Sequence, residues 1–163
     1  MKYTVSIQID LPLETVVQSL ADPSNRPKWL RGLVLHEPLN GVDWQVGTES
    51  RVVMKAGKQE FEGIETITRR EPADLSEIPK GTVVHFDREI VGNGMWSAVR
   101  DRLAEAEPGT TLWESESEYR FDSVLMRLVA RLMPGTFRKQ SQQPMDDFKA
   151  FVEQGRDVRE EKR

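Results

Sequence analysis

The chain has no cysteine, which removes disulfides, thiolate nucleophiles and sulfur-built metal centres from consideration. Histidine is nearly as scarce, with only His36 and His85, so a histidine-rich metal site is not expected. No apolar run approaches the roughly 20 residues of a membrane-spanning helix. The N-terminus MKYTVSIQID also lacks the apolar core of a signal peptide. Repeats and low-complexity segments are absent. A formal net charge of −4 gives no general attraction to nucleic acid or anionic membrane. These absences leave a soluble cytoplasmic protein as the expectation. Its 163 residues, 37% apolar and 31% charged, suit one domain with one core. We place that domain at residues 1–154. The remainder, GRDVREEKR (155–163), is charged and expected to fray.

What is present is periodic. In KYTVSIQID, Tyr3, Val5, Ile7 and Ile9 alternate with polar residues, as in a half-buried strand. Pro12 then opens a helix whose apolar stripe is Leu13, Val16, Val17 and Leu20. The segment ADPSNRPKWLRG allows only a second short helix, carrying Trp29. From Leu33 to Phe121 strands alternate with turn signals, and Pro38 pushes the first of these strands toward a sheet edge. The Gly57-Lys58 loop pairs Met54 with Phe61, Val52 with Gly63 and Ser50 with Glu65. An Asn93-Gly94 loop pairs Ile90 with Ser97 and Arg88 with Val99. The last segment, 122–154, is helical by period, with Val124, Leu125, Leu128, Val129 and Leu132 on one stripe. Pro134-Gly135 and Pro144 should interrupt it.

The segment TLWESESEYRF (111–121) places Glu114, Glu116 and Glu118 on one strand face, opposite Trp113, Ser115, Ser117, Tyr119 and Phe121. The aromatic face turns inward, so the glutamates face solvent, with Arg100, Arg102 and Lys2 as cross-strand partners. We expect no metal at this row and no cofactor in the protein. The same registers turn Glu65 and Arg88 onto the covered face. There they pair, reach solvent at a rim, or meet a ligand.

A seven-stranded antiparallel sheet needs cover, and only the C-terminal helix is long enough. The blocks IQIDLPLETVVQSLADPSNRPKWL, GTES, GIETIT and MDDFKAFVE resemble the START/Bet v 1-like superfamily, the polyketide cyclase/dehydrase and lipid-transport group. That resemblance covers essentially the whole chain. It implies an α+β helix-grip fold, with the sheet wrapped around the long C-terminal helix and two short helices between strands 1 and 2. It also implies a cavity beneath the helix. No catalytic motif carries over with it.

On this reading the protein binds or transports a small hydrophobic or amphipathic molecule, such as a lipid, an isoprenoid or an aromatic polyketide. An enzyme of the cyclase/dehydrase kind is the alternative, with Glu65 or Arg88 as acid/base or oxyanion group. An interaction module with a filled core is a third. The expected lining combines Trp29, Val52, Met54, Phe61, Phe86, Trp113 and Tyr119 with the small residues Ser50, Ser97, Ser115 and Ser117. Met126, Val129 and Met133 should face it from the helix. We expect a pocket of about 300–1,000 Å³, with its mouth near Trp29 and residues 74–79. The partners expected are a small hydrophobic ligand and, beyond that, a monomer or homodimer state.

Overall fold

The computed structural model describes residues 1–162, so Arg163 of the tail lies outside the described residues. In chain order the elements are β1 (Lys2–Ile9), α1 (Leu13–Ala21), α2 (Arg26–Trp29), β2 (Leu33–Pro38), β3 (Glu49–Ala56) and β4 (Gln59–Glu71). They continue with β5 (Val83–Gly92), β6 (Met95–Glu105), β7 (Thr111–Phe121), α3 (Val124–Leu132) and α4 (Pro134–Gln154). The strands form one seven-stranded antiparallel sheet in the order β1-β7-β6-β5-β4-β3-β2. Five of the six neighbour pairs are consecutive in the chain, three of them joined by short turns (β3–β4, β5–β6 and β6–β7), and β1 closes onto β7 at one edge. Pro38 lies on β2, the other edge, where its missing N–H breaks no ladder.

The hairpin registers follow the turn chemistry. Asn93 and Gly94 both have positive φ, 53° and 68°, as a type I′ turn requires. Arg88 is accordingly opposite Val99, and Ile90 opposite Ser97. Across β3–β4, Met54 faces Phe61, Val52 faces Gly63 and Ser50 faces Glu65. The core lies between the concave sheet face and the layer of α1 and α4. Ile9, Val16, Val17, Val84, Phe86, Leu103 and Phe148 are fully buried there. Phe148 of α4 meets Trp29 of α2 and Trp113 of β7 edge-on, at centroid distances of 5.3 and 5.6 Å. This three-ring contact fixes where the covering helix sits.

The C-terminal segment breaks at Pro134 into two helices, as its Pro134-Gly135 pair implies, whereas Pro144 does not end α4, which runs through it to Gln154. Met133 leaves helical geometry (φ −128°, ψ 54°), and Pro134 starts α4 in its first turn, where proline is tolerated. Only α4 crosses the sheet, against β1, α1 and α2, while α3 touches β7 and the start of α4. The described part of the tail, 155–162, lies back against the domain. Gly155 adopts the left-handed conformation (φ 68°) that ends α4. Val158 is then buried, and its N–H donates to the Lys28 carbonyl at 2.9 Å. Arg31 completes the clasp with a two-pronged contact to Asp147 (both 2.9 Å) and a third bond to Glu161 (2.8 Å).

Candidate functional site: a cavity under helix α4

A cavity of about 230 Å³ lies between α4 and the concave face of the sheet. It is smaller than expected because large side chains close on it from several sides: Trp29 from α2, Trp44 from the β2–β3 loop, and Pro144 and Met145 from α4. Pro144 has no N–H, so the Gln140 carbonyl loses its usual helical donor. Both residues face this space. Apolar surface comes from Leu20, Val52, Met54, Ile90, Val99 and Met145.

A chain of polar contacts crosses this wall from strand to strand. His36 Nε2 on β2 lies 3.0 Å from Glu65 Oε1 on β4. Glu65 Oε2 is 3.7 Å from Arg88 Nε on β5. Arg88 Nη1 donates to Asp101 Oδ2 on β6 at 3.0 Å. The Trp113 indole N–H on β7 donates to Asp101 Oδ1 at 3.1 Å. Glu65–Arg88 and Arg88–Asp101 are diagonal neighbours in the register, and His36 reaches Glu65 across the intervening β3. Burial pushes the Glu65 carboxyl up, but the His36 hydrogen bond and the charges of Arg88, His36 and Arg26 outweigh it, so it titrates below the usual glutamate range. Burial works against the Arg88 cation too, and Asp101 and Glu65 more than offset it. The part of Arg88 that stays accessible is turned into the cavity. A carboxylate only accepts, so a neutral His36 must carry its proton on Nε2. That leaves Nδ1 with a lone pair.

Not every polar atom here is satisfied. Arg26 Nη2, Trp29 Nε1, His36 Nδ1 and Trp44 Nε1 are buried with no protein partner among the described residues, and all four belong to residues lining this cavity. Buried polar groups are paired in the great majority of cases, so four at one place mark it out. Trp44 is unusual in its backbone as well, with φ +68°, which costs a bulky residue of order 1–2 kcal/mol. It is held there by the Arg70 Nη1 bond to its carbonyl (3.0 Å), by edge-on packing on Phe86 (5.0 Å) and by the Arg26 guanidinium 5.0 Å above its ring. At the other end Tyr3 OH donates to the Phe137 carbonyl (2.9 Å) and lies 2.7 Å from Ser141 Oγ. Tyr119 beside it is pushed well above the usual phenol range, first by burial.

Of the residues singled out in the sequence, Trp29, Val52, Met54, Trp113, Ser115, Ser117 and Tyr119 line the cavity, together with Glu65 and Arg88. Others are displaced from it. Phe61 shares the face of Met54 but lies toward the hairpin tip, beyond the reach of α4, and is 45% exposed. Phe86 is buried behind Trp44, and Ser50 and Ser97 are buried in the sheet layer. Met126, Val129 and Met133 belong to α3 and its end, off the concave face. Gly63, on the concave face, opens no room either, because Ile90 Cγ2 would lie 2.8 Å from a Cβ there. Residues 74–79 form no mouth, because the carbonyls of Leu75 and Ser76 accept from Gln18 Nε2 and tie the stretch to α1. Arg26, His36, Trp44, Asp101 and Ser141 were missed. Asp101 was readable from the β5–β6 register, between inward Val99 and Leu103. Trp44 sits in a loop with no periodicity to reveal it.

The model of the family described as polyketide cyclase / dehydrase and lipid transport matches residues 1–153. The chain belongs to this family. A search of curated proteins by sequence gives no match. Among solved structures, a START superfamily protein from Mycobacterium smegmatis is similar at 14% identity and TM-score 0.68, over 94% of this chain and 97% of the other. Ara h 8.0201 is similar at 15% and 0.67, over 93% and 97%. Norcoclaurine synthase from Thalictrum flavum is similar at 11% and 0.65, over 94% and 87%. At these identities the likeness establishes the helix-grip fold, and what the family member in hand binds must be argued from its own cavity.

Proposed function

We propose that the protein binds a small amphipathic molecule in the cavity under α4, with its apolar body on the sheet and its oxygen-bearing end toward Trp29 and Trp44. The observation that carries this reading is the set of unpartnered polar atoms on residues that line a cavity with both apolar and polar walls. Arg26 Nη2 and the two indole N–H groups can only donate, so they ask for carbonyl or carboxylate oxygens. His36 Nδ1 accepts from a hydroxyl when the ring is neutral and donates to an oxygen when it is protonated, so it suits an oxygen-bearing ligand in either state. A pure hydrocarbon would leave all four unpaired, at a cost of about 1–3 kcal/mol each. Family membership supports ligand binding of this kind, and carriage of a lipid, isoprenoid or polyketide-like molecule is the corresponding biological role.

A second reading, a cyclase/dehydrase-type enzyme, is favoured by one feature. Glu65 orients His36 so that a lone pair on Nδ1 belongs to a cavity-lining ring, as a general base requires.

Calorimetric titration with 2-naphthoate and with 2-methylnaphthalene tests the binding reading. Both should bind, the carboxylate more tightly. Ser117→Trp should abolish both while leaving the circular dichroism spectrum unchanged. Trp44→Phe should reduce the carboxylate's advantage by about fivefold, the worth of one hydrogen bond. Failure of both compounds to bind the folded protein would remove the reading.

A further inference from the structure

Helix α3 presents its apolar stripe to solvent instead of to the sheet. Val124, Leu125, Leu128 and Leu132 are 76%, 68%, 51% and 70% exposed. Val124, Leu128 and Leu132 recur every four residues, so with Leu125 they form one continuous ridge. The small residue Ala130 is the one the helix buries. The stripe read in the sequence is real, but its direction is reversed. Soluble proteins seldom show this much contiguous apolar surface without a partner.

Charge indicates which partner. From Ser123 to Met145 the chain carries Arg127, Arg131, Arg138 and Lys139 and not one Asp or Glu, within a protein whose net charge is −4. Arg127 and Arg131 flank the ridge and also line a shallow groove between α3 and the end of β7, with Lys2 and Arg120 on its other wall. Lys2 and Arg120 face Glu116 and Glu118. Arg127 and Arg131 meet no carboxylate among the described residues. A second copy packed ridge to ridge about a two-fold axis would bring these arginines against their own symmetry mates. An apolar ridge edged by unneutralised arginines is the pattern of a helix lying in the interface of an anionic bilayer.

We propose that α3 docks the protein on an anionic phospholipid membrane, with Val124, Leu125, Leu128 and Leu132 inserted among the acyl chains and Arg127 and Arg131 at the phosphates. The overall acidity of the chain rules out only a general attraction, and this patch is its local exception.

Vesicle co-sedimentation with the full chain tests the proposal. Binding should be clear to phosphatidylcholine vesicles containing phosphatidylserine, weaker by about tenfold or more without phosphatidylserine, and reduced by added salt. Leu128→Glu/Leu132→Glu, at two exposed positions, should lose binding by about tenfold or more while keeping the wild-type melting temperature. Arg131→Glu should lower it less, and only for vesicles containing phosphatidylserine. Titration of 2-naphthoate into the Leu128→Glu/Leu132→Glu variant should match wild type, so the cavity and the ridge are scored separately. Wild-type protein that stays in the supernatant would overturn the proposal. So would binding unaffected by the double substitution, or a dimer in analytical ultracentrifugation that the double substitution dissociates with no vesicle binding by either form.

Discussion

On the convex face of the sheet, Glu114 meets Arg102 at 3.1 Å, while Glu116 and Glu118 meet Arg100 at 3.0 and 3.2 Å. On the concave face, His36–Glu65 and Arg88–Asp101 are each 3.0 Å apart and Glu65–Arg88 is looser at 3.7 Å. The two rows use similar chemistry on opposite faces of one sheet, and they differ in water. Asp101 is 3% exposed at its side chain and Glu114 is 40%. A carboxylate that can turn to solvent loses little when its partner goes. One sealed under α4 is left as an unpaired buried charge. Contact length alone therefore does not set the energy, and the inner row is the one with a reason to be there other than solubility.

The sharpest way to break that comparison is to cut each row once. Arg88→Met should destabilise the protein by about 3 kcal/mol in urea unfolding, because it strands Asp101 and weakens the hold on Glu65. Adding Asp101→Leu should recover part of the loss, giving a coupling of about 1 kcal/mol or more. Additive effects would place the inner row in the same class as the outer one.

How far the sequence discloses this contrast differs between the rows. Alternation in β7 gives the outer row and its partners directly, because side-chain direction has period two and the neighbours follow from the turns. It also turns Glu65 and Arg88 inward. It does not give His36, which lies on an edge strand joined to β3 by a long irregular loop, so no turn sets its register. Nor does it give Arg26 or Trp44, which reach the cavity from a one-turn helix and that same loop. The fold was legible because strands, turns and the α1 stripe all agree. The direction of α3 was not, since an amphipathic stripe says that one face is apolar and is silent on what covers it. Cavity size is hidden for a related reason: small inward residues read as room, while the aromatic side chains that loops send in to occupy it carry no periodic signal.

A smaller effect sharpens the comparison through pH. The Glu65 carboxyl titrates below its ordinary value in the folded protein, so its interactions stabilise the fold fully above the unfolded glutamate pKa of about 4.3. That contribution is lost as pH falls through the lower folded value, where the native state must also take up the proton. The stability difference between wild type and Glu65→Gln should thus be flat at neutral pH and shrink as the solution is acidified below about pH 4. A difference that grows on acidification would mean that burial prevails over His36 and Arg88, and that Glu65 is held as the neutral acid.

The smallest effect is expected on the convex face. Glu114→Gln keeps the shape of the side chain and removes its charge opposite Arg102. Both groups are near half exposed, so water replaces what the pair provided, and salt already screens most of it. The unfolding free energy should change by under about 0.5 kcal/mol. That small change should vanish when the measurement is repeated at high salt. The Arg88→Met loss should survive the same salt, since buried pairs are screened much less than exposed ones. If the outer substitution instead costs as much as the inner one, water is not what separates the two faces. The row Glu114, Glu116 and Glu118 would then have to be read as an organised network in its own right, with Arg100 at its centre.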